Sequence, residues 1–261
     1  MDERLLDTLF RKRIGYSRTD ALSFTDLNSI LELTGRTLPF ENMSIIENRI
    51  RPVTRTNLTD KVLINGEGGL CYELNTLFHA FLLANGFEAV LVRGIVYYAD
   101  SHTYAATGRT HVTILLKHEG RNYLADTGFG GNLPLRLVPT SGEPVESANG
   151  LFRVRPAEGD HAVHGDYMFE MKLRHKDHDW HTGYVFDSGQ PIDLENCNTI
   201  QRIVAEHPGS TFNKRPLFTR LTPDGSITLT DTSLTISSNG LVNKTMILPG
   251  QFEELRDQYF R

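Results

Sequence analysis

The apolar residues of this chain change period at Asn85-Gly86, and that change constrains the fold more than any other feature. Before it, Leu5, Leu6, Leu9 and Phe10 recur at helical spacing, and Arg11, Lys12 and Arg13 suit the negative end of a helix dipole. Ser23-Phe-Thr-Asp26 reads as a capping box for a second helix, with Leu27, Ile30 and Leu31 on one face and Gly35 as its stop. After a polar stretch, Gly68-Gly69 precedes a third helix on which Cys71, Leu74, Asn75, Phe78 and Leu82 share a face. Beyond Gly86, segments 88–98, 109–117, 121–126, 151–155, 167–174 and 180–186 are rich in Val, Ile, Tyr, Phe and Leu and are separated by turn residues, as strands are. The gaps are too short for helical crossovers, so the pairing is mostly antiparallel. A loop rich in Pro, Gly and Ser covers 134–149. From 191 onward the pattern mixes: a short helix at 200–206, strands at 216–222 and 226–230 around Pro223-Asp224-Gly225, and a terminal helix at 252–260. The class implied is α+β, organised as residues 1–86, 87–190 and 191–261.

Charge and composition remove several functions. The 261 residues carry a net charge of −5, with a pI of about 6.1, which argues against a phosphate-neutralising nucleic-acid protein. The longest apolar runs, such as 80–84 and 95–99, are five residues, whereas a membrane span needs roughly 20. The first ten residues contain acids and no apolar core, unlike a secretory signal. Two cysteines, Cys71 and Cys197, do not make a disulfide scaffold, and the expected compartment is the cytoplasm.

Cys71 is the residue with the clearest chemical setting. It opens a helix, where unpaired N–H groups and a partial positive charge stabilise a thiolate. Gly68 and Gly69 allow a tight approach and leave room beside the sulfur. The competing reading is a buried structural cysteine. His111 and Asp126 lie on the two arms of a hairpin joined at Glu119-Gly120. With an even loop, Lys117 faces Asn122 and Thr113 faces Asp126, so His111 and Asp126 become diagonal neighbours on one face. An odd loop would put them on opposite faces. A carboxylate beside a histidine fixes its tautomer and favours its charged form, and such a histidine activates a thiol for acyl transfer.

Four stretches occur in order: Leu38-Pro-Phe-Glu-Asn42, Gly68-Gly-Leu-Cys71-Tyr-Glu73-Leu-Asn75, Thr107-Gly-Arg-Thr-His111 and Tyr123-Leu-Ala-Asp126-Thr-Gly-Phe-Gly130. Together they resemble the arylamine N-acetyltransferases. The likeness runs from about Arg13 to Gly131 and weakens beyond, though His207-Pro-Gly-Ser-Thr-Phe212 matches a later stretch of the family. The resemblance implies a helical bundle, a β-barrel and an α/β lid, around a Cys-His-Asp core like that of cysteine proteases. It implies Cys71 as nucleophile, His111 as base and Asp126 as its orienter. Acetyl-CoA is the implied cosubstrate, with no permanently bound cofactor and no metal, and an aromatic amine, arylhydroxylamine or hydrazine the acceptor. It further implies that Thr107, Gly108, Gly130 and Gly131 meet CoA and that Phe40 and Phe129 line the acceptor pocket; core packing is the competing reading for the two phenylalanines. Gly128 would likewise give the cofactor access to the backbone. The same three catalytic residue types also serve hydrolases and transamidases, and a catalytically silent binding protein is a third reading. Neither nucleic acid nor membrane is an expected partner.

The family places an arginine four residues before the nucleophile, paired with the Glu of the Pro-Phe-Glu-Asn motif. This chain has Glu67 there, so Glu41 needs another partner, such as Arg13, or the two elements are held differently. His175, His178 and His181 suggest a metal run, but a strand–turn–strand does not bring that spacing onto one face. Cys197 follows Asn196 and reads as a bystander in polar surroundings.

Overall fold

The computed structural model describes residues 2–260. Helix α1 (Glu3–Ile14) starts at an Asp2 cap, and α2 (Asp26–Thr37) follows. Ser23 donates from its N–H and its hydroxyl to Asp26, which ties the approach to α2 while Thr25 takes the cap position. Gly35 does not stop α2. It lies inside the helix because the 133–135 loop crosses there; a Cβ would stand 2.5 Å from Leu135 Cδ2. Then come a short strand β1 (Phe40–Glu41), single turns α3 (Met43–Ile46) and α4 (Arg55–Leu58), and a π-helical segment (Thr59–Ile64).

Helix α5 (Cys71–Ala84) is the axis of the molecule. Eleven of its fourteen residues are buried, so it is enclosed on nearly every side rather than on the single face its spacing suggests. It packs against α1, against the outer face of the strands that follow, and against a later helix.

Those strands are β2 (Glu88–Tyr98), β3 (Thr103–Tyr104), β4 (His111–His118), β5 (Arg121–Ala125), β6 (Val138–Pro139), β7 (Val145–Ser147), β8 (Gly150–Pro156), β9 (Tyr167–Leu173) and β10 (His181–Ile192). All pair antiparallel in the order β6-β5-β4-β2-β10-β9-β8-β7, with β3 on the end of β2. Gly142 N–H donates to Val154 O at 2.8 Å, which draws the two edges together into a nearly closed barrel. Aromatic rings from Phe152, Phe169, Tyr184 and Phe186 fill it.

Helix α6 (Leu194–Glu206) leads into a second antiparallel sheet of β11 (Leu217–Thr222), β12 (Gly225–Thr230), β13 (Ser233–Ser238) and β14 (Leu241–Met246), covered by α7 (Gln251–Phe260). The strands β13 and β14 lie outside the two that the sequence pattern suggests. The first strand of this sheet is β1, paired to β11, so the Leu38–Asn42 motif ties the start of the chain to its last third. No helix among the described residues is long and apolar enough to cross a membrane.

Candidate active site

The hairpin of β4 and β5 closes at His118 and Arg121, with Glu119 and Gly120 both at positive φ, the two-residue turn whose twist suits a hairpin. The even loop gives the expected register: Lys117 pairs with Asn122 and Ile114 with Ala125, and the next step sets Thr113 opposite Asp126. His111 and Asp126 therefore share a face. The His111 Nε2–H donates to Asp126 Oδ2 at 2.8 Å. The remaining ring nitrogen, Nδ1, is the one left for Cys71.

Asp126 is 1 % exposed and receives three further hydrogen bonds. Tyr184 on β10 donates its hydroxyl to Oδ2, and Asn75 Nδ2 and Gly128 N–H donate to Oδ1, each at 2.8 Å. Burial favours the neutral acid, but the His111 charge and these donors outweigh it and hold the carboxyl below its ordinary value. For His111 burial likewise opposes charge; Asp126, and then Cys71, outweigh it and push its pKa up to about 10. The charged form of His111 is thus favoured by its place between the Asp126 carboxylate and the Cys71 sulfur.

Cys71 is the first residue of α5, and its thiol donates to Thr110 O at 3.5 Å. The room beside it comes from Gly128, not from the glycines that precede it. A Cβ on Gly128 would stand 2.6 Å from Cys71 Cα, so this glycine admits the helix rather than a cofactor. Asn75, one turn below Cys71, also donates to Val112 O and accepts from the Thr127 N–H and hydroxyl. A single side chain on α5 thereby fastens the strand that bears His111 to the turn that bears Asp126. Its spacing of four from Cys71 is the signal in the sequence. Tyr184 has none, since it arrives from a strand 58 residues beyond Asp126.

Cys71 and His111 open into a cavity of about 530 Å³ also lined by Phe40, Phe129, Gly130 and Gly131. Phe129 packs on His111 at 4.9 Å between ring centres, and Phe40 meets Phe212 edge-on at 5.5 Å. Thr107 and Gly108 do not line it; they stand in the loop that delivers Thr110 and His111, where Thr107 Oγ1 bonds Thr110 Oγ1 at 2.9 Å. Asn42 fixes another wall: its amide donates to Phe212 O and Arg215 O and accepts from Leu217 N–H.

The expected partner for Glu41 needs correction. Arg13 is spent on Val62 O and Gly66 O, and Glu67 pairs with Arg49 at 2.7 Å. Glu41 faces Lys61 at 3.3 Å instead, and Lys61 also bonds Glu73 at 2.7 Å. Cys197 is not in polar surroundings. It is wholly buried in the core around α5 against Thr76, and burial pushes its thiol up to about 11. His175 sits in the turn between β9 and β10, and His181 lies on β10 at the mouth of the cavity, 3.6 Å from Asp177. Among the described residues, no three His, Cys, Asp or Glu side chains are grouped to hold a metal ion.

An N-acetyltransferase family model matches residues 23–261. The NAT3 arylamine N-acetyltransferase of Bacillus cereus, described as having a Cys-His-Glu catalytic triad, superposes with a TM-score of 0.91 at 38% identity, over 98% of this chain and 97% of that one. Arylamine N-acetyltransferase C of Bacillus anthracis gives 0.91 at 36% identity, over 97% of both chains. An uncharacterized acetyltransferase of Bacillus subtilis (strain 168), YvcN, is 35% identical over 95% of each chain. The chain belongs to the arylamine N-acetyltransferase family, a class of acetyl-transferring enzymes.

Proposed function

We propose that this enzyme moves an acetyl group from acetyl-CoA to the nitrogen of an arylamine, arylhydroxylamine or hydrazine in two half-reactions through an acetyl-Cys71 intermediate. The observation that carries this reading is the 2.8 Å bond from His111 to Asp126 behind a helix-start cysteine at the wall of a cavity. In the first half-reaction the Cys71 thiolate attacks the thioester carbonyl. The C–S bond to CoA breaks, and the departing CoA thiolate takes the imidazolium proton of His111. In the second, the acceptor nitrogen attacks acetyl-Cys71, His111 takes a proton from that nitrogen, and Cys71 leaves as a thiolate.

The electrostatics suit both steps. Cys71 is one of the groups that raise the His111 pKa. Acetylation removes the sulfur's charge, so the His111 pKa falls and more of the imidazole is in the neutral form that can take a proton in the second half-reaction. Asp126, held by four donors, keeps the ring's tautomer fixed throughout. Phe40 and Phe129 are apolar walls for an aromatic acceptor; Gly130 and Gly131, with Thr107 and Gly108 at the loop, take CoA. An aromatic amine is unprotonated at neutral pH and so can attack, whereas an aliphatic amine is mostly charged. In this reading residues 1–86 carry the nucleophile, 87–190 the His and Asp, and 191–261 close the cavity. A free thiol nucleophile belongs in a reducing compartment, which supports a cytoplasmic enzyme.

Incubation with acetyl-CoA and no acceptor tests the reading directly. Mass spectrometry should find one acetyl group, on Cys71, which an aromatic amine or hydrazine then removes. Cys71→Ser should fold and stay unlabelled. A wild-type protein that acetyl-CoA leaves unmodified while iodoacetamide still alkylates Cys71 would overturn the donor and favour a hydrolase or transamidase.

A further inference from the structure

Three charged side chains meet beneath the first turn of α5, on the side away from His111. Glu41 comes from β1, Glu73 from the third position of the helix, and Lys61 from the π-helical segment. All three are buried. Lys61 Nζ lies 3.3 Å from Glu41 Oε1 and 2.7 Å from Glu73 Oε1. It turns inward where the backbone is wound wide, with Asn65 N–H bonded to Asp60 O five residues back.

Glu73 grips the peptide that leads into Cys71, and Glu41 grips the turn that follows β1. Glu73 Oε2 accepts the Leu70 N–H at 3.1 Å, and Glu41 Oε2 accepts the Met43 N–H at 2.6 Å. A Cβ on Gly68 would stand 2.9 Å from Glu41 Cγ, and one on Gly69 would stand 2.9 Å from Glu73 Oε2. Gly68 is thus a glycine chiefly because Pro39 O would stand 1.9 Å from such a Cβ, and Gly69 because the Glu73 side chain closes over it. One ammonium is shared between two acidic side chains, an excess of negative charge when both are ionised, and Glu73 is two residues from Cys71.

We propose that Lys61 is a positioning residue for acetyl transfer: its ammonium cancels one of the two carboxylates gathered at the first turn of α5, and so sets how readily Cys71 carries a negative charge. The inference rests on Cys71 being the nucleophile. Without Lys61, two adjacent carboxylates oppose a thiolate; without the Glu41 charge, the Lys61–Glu73 pair is neutral and favours one. The titratable groups that face Cys71 or its histidine from other directions are His111 on β4, Asp126 after β5, Tyr184 on β10, Tyr72 on α5 and Cys197 on α6. Substitutions at 61 and 41 leave all of them in place.

The test is the rate of Cys71 alkylation by iodoacetamide as a function of pH. Lys61→Met should move the profile to higher pH and slow alkylation at neutral pH by about tenfold, the effect of one pH unit. Glu41→Gln, which can still accept the Met43 N–H, should move it the opposite way. Lys61→Arg should restore the wild-type profile. Loss of packing alone shifts both variants in one direction or lowers only the melting temperature, and either result overturns the proposal, as do coincident profiles. If Lys61→Met does not fold, the sign of the Glu41→Gln shift decides. Alkylation needs no acyl donor, so failure here is distinct from failure of acetyl-CoA to label the enzyme.

Discussion

Asp126 and Glu41 are carboxylates of equal burial, each 1 % exposed and each within reach of the first turn of α5, yet they are treated in opposite ways. Asp126 receives four hydrogen bonds, one from a charged imidazolium, and stays below its ordinary pKa. Glu41 has one backbone donor on Oε2 and only an ion pair on Oε1, and it shares that cation with Glu73; burial pushes it up. Burial alone does not set a buried acid's charge. The number of donors does, together with whether a cation is shared.

The largest break in this contrast is Asp126→Asn. The amide keeps the shape but presents an N–H where His111 needs an acceptor. By analogy with the Ser-His-Asp triad, acetyl turnover should fall by about 10³ to 10⁴, with little change in fold. Stability should report the same loss. His111 has its pKa raised from 6.5 to about 10, so its pairing contributes stability that is full below about pH 6.5 and is lost as pH rises through about 10. Thermal melts of the wild type should therefore decline across that interval, and the decline should flatten in Asp126→Asn. Equal slopes would show that the imidazolium is not held by Asp126.

Tyr184→Phe sharpens the contrast by removing one donor of four. A hydrogen bond to a charged group is worth about 1.5–3 kcal/mol, so turnover should drop by roughly tenfold to a hundredfold while the other three bonds keep Asp126 ionised. An unchanged rate would mean that three donors suffice. The smallest effect belongs to Glu67→Arg. Glu67 bonds Arg49 near the surface and takes no part in the environment of Glu41, so the reversal should cost no more than about 1 kcal/mol. A raised melting temperature would reveal that the new arginine had reached Glu41.

The legible parts of the molecule were those fixed by local rules. The register that joins His111 to Asp126 follows from a two-residue turn, and Cys71 at a helix start follows from helical spacing after a glycine pair. What escaped the sequence depended on distant chain. Gly35 looked like a stop because the loop that needs it lies about a hundred residues on. Lys61 looked like part of a polar stretch, since a wide helical turn breaks the spacing by which inward residues are recognised. Cys197 has polar neighbours in sequence and apolar ones in space, and β14 is a strand with all six residues exposed, which no buried alternation could mark.

The donors to Asp126 come from residues 75, 111, 128 and 184, and this has a consequence for biosynthesis. On a ribosome the chain emerges from its N-terminus, so Cys71 leaves the exit tunnel long before β10. Until Tyr184 has emerged and the barrel has closed beside α5, Asp126 lacks its full set of donors, and Cys71 of the nascent chain lacks the finished His111–Asp126 pair. For the nucleophile proposed above, reactivity is thus delayed until most of the polypeptide exists.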